Sequence, residues 1–391
     1  MTKYDAPDEN AIIDWLISDA RLSGDGVQIV GGFADRLIGQ GVPLWRMRIA
    51  QQFSNPLLSA WGMIWTREET RLYTVARTVL STSAWQGSPF EYVLSNRTTL
   101  HKPLVGLDPQ YDHSVYLELA EAGGTDFYAM TLSYGDGSIQ GCSFATDHME
   151  GFRQQDLDLI FACRHALACA LEPVAMRRSS ASLLRTYLGD GPAAAVTDGT
   201  IRRGEHTHIE AVIMFCDLRG FTTMSAQWPE TKLMAALDAY FELVVDAVRD
   251  RGGDVLKFIG DGVLSVFPVA DAASRTQRCV DAATAARTIA ASLETLNQER
   301  ESQKLEPLRI GTGIHIGHVT HGNIGSPDRL DFTVLGQAVN LASRVQDLCK
   351  VVGKPVLATA PVAALVPDAF HSEGHHPVRG LDEAVEIYSL S

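Results

Sequence analysis

The sequence predicts an α/β chain of the α+β kind, organised as two modules joined by a helical linker, and three observations carry that expectation. Five of the six tryptophans (Trp15, Trp45, Trp61, Trp65, Trp85) fall early in the chain, whereas Ala-rich helices and Gly-punctuated strands fill the second half. The 391 residues exceed one ordinary domain of ~150 residues. The second half reads strand, helix, hairpin, helix, strand, a βαββαβ order. The expected boundaries are 1–175 for the first module, 176–207 for the linker and 208–391 for the second module.

In the first module, helical patterning covers 11–20 and 32–40, and apolar strand-like runs cover 57–66 and 71–79. The stretch DFYAMTLSYGDGSIQGCSFATDHMEGF (126–152) reads as two strands joined at Gly135-Asp136-Gly137, a hairpin signal because glycines supply the positive φ of a tight turn. A helix is expected over 154–171, where Leu157, Phe161, Arg164/His165, Ala168 and Leu171 recur every three or four residues. Pro173 is expected to end it, since proline lacks the N–H a helix interior needs. A short helix over 177–189 and a connector rich in Gly, Pro and Ala should follow. Strand, GDG turn, strand and long helix resemble the end of a GAF-like sensor domain. That resemblance implies a regulatory module for an unidentified small-molecule effector; an unrelated α/β dimerisation module is the alternative.

The second module reads as a strand (210–216), a helix (229–251), a strand (254–258), a turn (260–262), a strand (263–268), a helix (272–301), strands near 308–315 and 319–324, and a helix around 338–349. This is the ferredoxin-like order, in which the tip of the central hairpin lies beside the end of the first strand.

Hydrophobic residues make up 46% and charged residues 20%, with a formal net charge of −14. Such a field argues against nucleic acid and against an anionic membrane as partner. No apolar run approaches the ~20 residues of a membrane span, and the N-terminus lacks a charged head followed by an apolar stretch; a cytoplasmic protein is expected. The six cysteines (Cys142, Cys163, Cys169, Cys216, Cys279, Cys349) show no CxxC pair or disulfide spacing and read as reduced core residues.

AVIMFCDLRGFTTMS (211–225) is a buried-strand run that ends on Asp217. An unpaired buried carboxylate is costly, so it needs a partner. GDG occurs four times, at 24–26, 135–137, 189–191 and 260–262; only the last, in KFIGDGVLSVF, sits at the tip of the central hairpin and brings Asp261 to Asp217. Two carboxylates side by side raise each other's pKa, and a divalent cation removes the penalty. Hard oxygen ligands select Mg²⁺ or Mn²⁺, and two ions sharing two aspartates suit phosphoryl chemistry. Between them, Leu218-Arg219-Gly220-Phe221-Thr222 leads into a helix, where backbone N–H groups can receive phosphate oxygens.

FCDLRGFT, LKFIGDGVLSVF, GIHIGHVTHGNIG, TVLGQAVNLASR and VRGLDEAVEIYSL, in this order over 209–390, resemble the class III nucleotide cyclases. The resemblance implies that Asp217 and Asp261 bind two metal ions, with the Leu218 backbone beside them, and that Gly220, Phe221 and Thr222 approach the phosphates. It implies that Lys257 and Thr333 read adenine, hence ATP as substrate, and that Asn340 and Arg344 act on the transition state. Those two are four residues apart, on one helix face, and arginine suits charge on a phosphoryl oxygen. A head-to-tail homodimer follows from the family's architecture, with the aspartates from one subunit and Lys257, Thr333, Asn340 and Arg344 from the other. Two family positions depart: Gly311-Thr312 replaces a phosphate-binding arginine, leaving Arg309 nearest, and Arg379-Gly380 is followed by Leu381 rather than a base. Arg309 and Arg379 are candidate phosphate contacts on that basis.

The resulting expectation is an adenylate cyclase that converts ATP to 3′,5′-cyclic AMP and pyrophosphate for signalling under control of the first module. The alternatives are a catalytically silent nucleotide-binding module and a guanylate cyclase. His315, His318 and His321 have three-residue spacing but need not share a strand face, and are not read as a metal site.

Overall fold

The computed structural model describes residues 8–52, 55–199, 206–326 and 328–391. The chain forms two compact units, Met1–Thr186 and Tyr187–Ser391, both α+β.

The first unit is built on β1 (Arg46–Gln52), β2 (Leu58–Thr66), β3 (Thr70–Ala76), β4 (Leu100–Pro103), β5 (Asp126–Ser133) and β6 (Ile139–Thr146). They make one antiparallel sheet in the order β3-β2-β1-β6-β5-β4. The GDG turn between β5 and β6 closes as its residues require: Gly137 has φ +83° and its N–H donates to the Tyr134 carbonyl at 3.1 Å. One sheet face carries Met47, Ile49, Met63, Cys142 and Phe144. It packs on the helices Gly26–Gly39, Gln154–Ala162 and Arg164–Leu188 through Ile29, Phe33, Leu37, Ile160, Leu167 and Leu171. In β1 the alternate residues Arg46, Arg48 and Ala50 are only partly buried, because successive side chains in a strand point to opposite faces.

The long helix does not end at Pro173. It breaks earlier, bending by 45° between Gln154–Ala162 and Arg164–Leu188, and the second segment runs through the proline. Leu167, Ala170, Leu171, Val174 and Ala175 are all buried on either side of it, and this packing offsets the ~3 kcal/mol a proline costs in a helix interior. No single described helix is long and apolar enough to cross a membrane. This bent pair passes by length and composition together, and its apolar side chains belong to the core of the unit.

The second unit contains β7 (His206–Leu218), β8 (Asp254–Ile259), β9 (Gly262–Val269), β10 (Ile310–Gly325), β11 (Leu330–Leu335), β12 (Val356–Thr359), β13 (Phe370–His376) and β14 (Val385–Leu390). The sheet order is β13-β14-β12-β10-β7-β9-β8, with β11 paired to β10; its β10-β7-β9-β8 part is the ferredoxin-like core. The helices Glu230–Arg249 and Ser274–Ser302 cover one face, burying Tyr240, Val244, Val248, Ala282, Ala286 and Ile289 against Val212, Met214, Cys216 and Phe267. On the other face the helix Gln337–Val352 packs down, placing Ala338 and Ala342 in one cluster with Ala211, Ile213, Leu256, Leu264, Val266, Val319 and Val334.

β10 is one strand of 16 residues, where the apolar pattern suggests two. It pairs with β7 continuously from Ile310↔Leu218 to Gly322↔His206, and its last third also pairs with β11. Ladder hydrogen bonds on both sides carry it across the polar residues that interrupt its hydrophobic pattern.

Candidate active site

Asp217 lies one residue from the end of β7, between buried Cys216 and buried Leu218. The β7–β9 register ends at Cys216↔Val263, so the turn joining β8 to β9, opened by Gly260 at φ +64°, falls beside it. The Leu218 N–H donates to Asp261 Oδ2 at 3.2 Å. Burial comes first, then the hydrogen bond and the charge of the Asp261 carboxylate. Together they push Asp217 up to about 8, with Asp347 adding a smaller like-charge effect.

A half-buried carboxylate pair held this close is the donor set a hard divalent cation satisfies. Among the described residues no group of three or more His, Cys, Asp and Glu converges on a metal position. Two protein carboxylates with open remaining positions suit Mg²⁺ or Mn²⁺, which bind through one or two carboxylates plus water and phosphate oxygens.

Asp217 and Asp261 line a cleft of about 600 Å³ together with Lys257, Thr333 and Asn340, with Phe215, Leu264 and Val339 as apolar surface. Lys257, on β8, forms an ion pair with Asp331 on β11. Thr333 is buried and stands opposite Gly322 in the β10–β11 hairpin. Asn340 is exposed on the first turn of the helix Gln337–Val352. Gly313 on β10 sets the depth of that helix: a Cβ there would lie 2.4 Å from both the Ala342 carbonyl and the Gln346 nitrogen, so only glycine lets helix and strand backbones meet.

The remaining predicted residues lie outside the cleft wall. Arg344 follows Asn340 by one turn, but its guanidinium rests against the Gly380 backbone, where a Cβ would come within 2.9 Å of Nη1. Arg379, next to it, is exposed. Arg309 is exposed, and its carbonyl accepts from the Arg219 N–H at 2.7 Å. Gly220, at φ +79°, turns the chain into the helix Phe221–Gln227; Phe221 packs partly against the core, and Thr222 is exposed.

Two carboxylates that line the cleft were not singled out from the sequence, Asp331 and Asp347. Asp331 is two residues before Thr333, and strand periodicity places both on one face. Asp347 is seven residues after Asn340, two helical turns along the same stripe. Of the histidine trio, His315 Nδ1 bonds Thr359 Oγ1 at 2.8 Å and burial lowers its pKa to about 4.

Residues 205–391 match the family model described as the adenylate and guanylate cyclase catalytic domain. The chain is 34% identical over 187 residues to an adenylate cyclase of Anabaena cylindrica, covering 46% of this chain and 36% of that one. It is 32% identical over 185 residues to adenylate cyclase 1 of Rhizobium meliloti, covering 46% and 27%. It thus spans about a third of the length of these curated relatives. A solved structure, the adenylyl cyclase CyaB from P. aeruginosa, shares 27% identity over 48% of this chain and 96% of that one, with a TM-score of 0.44. On the family match and these relatives, residues 205–391 belong to the class III adenylate and guanylate cyclase catalytic-domain family.

Proposed function

We propose that this protein is an adenylate cyclase that converts ATP to 3′,5′-cyclic AMP and pyrophosphate. The observation that carries the reading is the approach of Asp261 to the end of β7, in a cleft that Lys257 and Thr333 also line. Relatives named adenylate cyclases support it.

In this reading the ribose 3′-oxygen attacks the α-phosphorus in line, and the O3′–Pα bond forms as the bond to pyrophosphate breaks. Asp217 and Asp261 hold Mg²⁺ or Mn²⁺, two ions per site, which supply Lewis acidity and neutralise phosphate charge when bound. Leu218 contributes its backbone N–H to hold Asp261 in place. Gly220, Phe221 and Thr222 are assigned to the approach of the phosphate chain, and Arg309 and Arg379 are its further candidate contacts. Lys257 and Thr333 read the adenine ring. Asn340 and Arg344, the latter swung from its rest against Gly380, act together on the transition state, where charge develops on the α-phosphate. Such a reaction is largely positioning and electrostatics.

Each subunit's cleft carries both aspartates with Lys257, Thr333 and Asn340, and in a head-to-tail homodimer the aspartates of one subunit are assigned to act with Lys257, Thr333, Asn340 and Arg344 of the other. Exposed apolar side chains around the cleft, Phe258 at 52%, Ile259 at 54% and Leu335 at 51% exposure, support burial of this face against a second copy. The first module, 1–175, is read as a GAF-like regulatory domain for a small-molecule effector, and 176–207 as the element that transmits its state.

The test is cyclic AMP formation by purified protein with Mn²⁺-ATP, GTP competing. Product that disappears in Asp217→Ala, with ATP preferred, is expected. No product at any protein concentration, or equal turnover in the variant, overturns the cyclase reading. Preference for GTP overturns the roles given to Lys257 and Thr333.

A further inference from the structure

We infer that the first unit binds a small aromatic acid, its anionic group on Arg48 and its ring among apolar side chains of a cavity between the sheet and the 77–94 segment. The cavity measures about 500 Å³, the size of a drug-like ligand site. Ala50, Ala60 and Val75 line it from the sheet, and Leu80, Trp85 and Phe90 from the covering segment. It is confined to the first unit, and the core on the opposite sheet face is packed without it.

The apolar wall alone would accept any greasy molecule; Arg48 makes the choice. Its Nε donates to Tyr73 Oη at 2.8 Å, and Tyr73 in turn donates to the Ile49 carbonyl at 3.1 Å. Tyr73 can cross the sheet there because Gly62 beneath it has no Cβ, which would sit 2.6 Å from the hydroxyl. The guanidinium is further held over the Tyr73 ring at 4.5 Å and the Phe90 ring at 5.2 Å. Anchored through Nε, Arg48 leaves its two Nη groups without a described acceptor, and these are the forked donors that match a carboxylate, sulfonate or phosphate.

The charge around it is also one-sided. Among the described residues neither Arg48 nor Arg46, Arg71 or Arg77 makes an ion pair with a carboxylate. Burial, and then the charges of Arg48 and Arg71, hold Arg46 below its ordinary value, and Glu118 alone among carboxylates offsets this. Arg77 lines the same cavity and donates to the Asn55 carbonyl at 3.2 Å. The one carboxylate on the cavity wall, Asp136, is exposed in the GDG turn. A cluster of arginines short of counter-charge, one of them pre-oriented beside aromatic rings, is an anion site with an aromatic neighbourhood. This deepens the regulatory reading of the first unit by naming its ligand chemistry, and it stands whether or not the second unit is a cyclase.

The test uses the full chain with saturating 3′-deoxy-ATP, so that the nucleotide cleft does not contribute, and two fluorescent probes of similar apolar body. Anilinonaphthalene sulfonate carries the anion and phenylnaphthylamine does not. Arg48→Met is expected to weaken the sulfonate by about tenfold or more while changing the neutral probe less than about twofold. Ala60→Phe, which fills the cavity, is expected to weaken both, with far-UV circular dichroism unchanged in each variant. Equal sulfonate affinity in Arg48→Met, equal loss of both probes in that variant, or unaltered binding in Ala60→Phe overturns the proposal.

Discussion

Lys257 on β8 and Asp331 on β11 form an ion pair along the wall of the cleft, so the side chain assigned to the purine is held in place by a carboxylate two residues from Thr333. Asp331→Asn should free Lys257 and raise the KM for ATP by roughly three- to tenfold, with a smaller fall in kcat. It should also erode the preference for ATP over GTP. Asp331 is largely exposed, so stability should change by less than about 1 kcal/mol, and unchanged thermal unfolding separates positioning from folding. An ATP/GTP ratio identical to wild type would remove Asp331 from the specificity apparatus.

Gly313→Ala is expected to harm both stability and turnover. The added methyl meets the backbone of the helix Gln337–Val352 at 2.4 Å, which cannot yield as a flexible side chain can. The helix must shift and carry Asn340 and Arg344 with it; overpacking of this kind costs ~1–3 kcal/mol. Thermal unfolding and single-turnover rates should fall together, and a normal rate in a destabilised variant would show that the helix position is not limiting.

Metal binding should be visible without turnover. Burial, and then the Asp261 carboxylate, penalise the ionised form of Asp217 in the metal-free protein, so Mn²⁺ added without nucleotide should raise the melting temperature of the second unit. Asp217→Asn removes that penalty, since the amide is neutral at every pH: this variant should melt higher than wild type without metal and respond little to Mn²⁺. Differential scanning calorimetry with and without chelator checks it, and an Asp217→Asn protein that retains the full Mn²⁺ shift would dissociate the pair from the ion.

Shared sites predict complementation. Asp217→Ala and Asn340→Ala, each inactive alone, should recover up to about a quarter to a half of wild-type activity when mixed, because a mixed dimer has one intact site. Inactivity of the mixture at concentrations where dimers are demonstrated by sedimentation would place both residue sets in a single chain.

His315 should make stability depend on pH. Its folded pKa is lowered to about 4 by burial, against ~6.5 in an unfolded chain. The unfolded state therefore binds the extra proton, and stability is lost as pH falls from 6.5 towards 4, by roughly 3 kcal/mol at most. His315→Gln should flatten the denaturant midpoint over that window; an unchanged slope would assign the acid sensitivity to other groups.

Much of the second unit was legible from residues alone. The run AVIMFC, the GDG hairpin and the two long helices are local patterns, and local patterns report the periodicity of an element directly. They also led to the βαββαβ order and to Asp217 beside Asp261. The first unit was harder to read. β1, RMRIAQQ, alternates arginine with apolar residues because one of its faces lines a cavity, and a polar inner face looks like solvent exposure in a sequence. The helix through Pro173 was misread for the converse reason: a local breaker was overruled by apolar packing on both sides of it.

By itself, the sequence determined the two-module α+β plan, the carboxylate pair at the β7 and β8–β9 ends, and the stripe carrying Asn340 and Arg344, all set by short-range periodicity and turn chemistry. Tertiary structure alone decided that β10 runs unbroken between two partners and that Gly313 seats the helix Gln337–Val352. It alone paired Lys257 with Asp331, turned Arg344 towards Gly380 and left Arg48 beside an open cavity. Each of these depends on groups distant in the chain meeting at van der Waals or hydrogen-bond range, which no local pattern encodes.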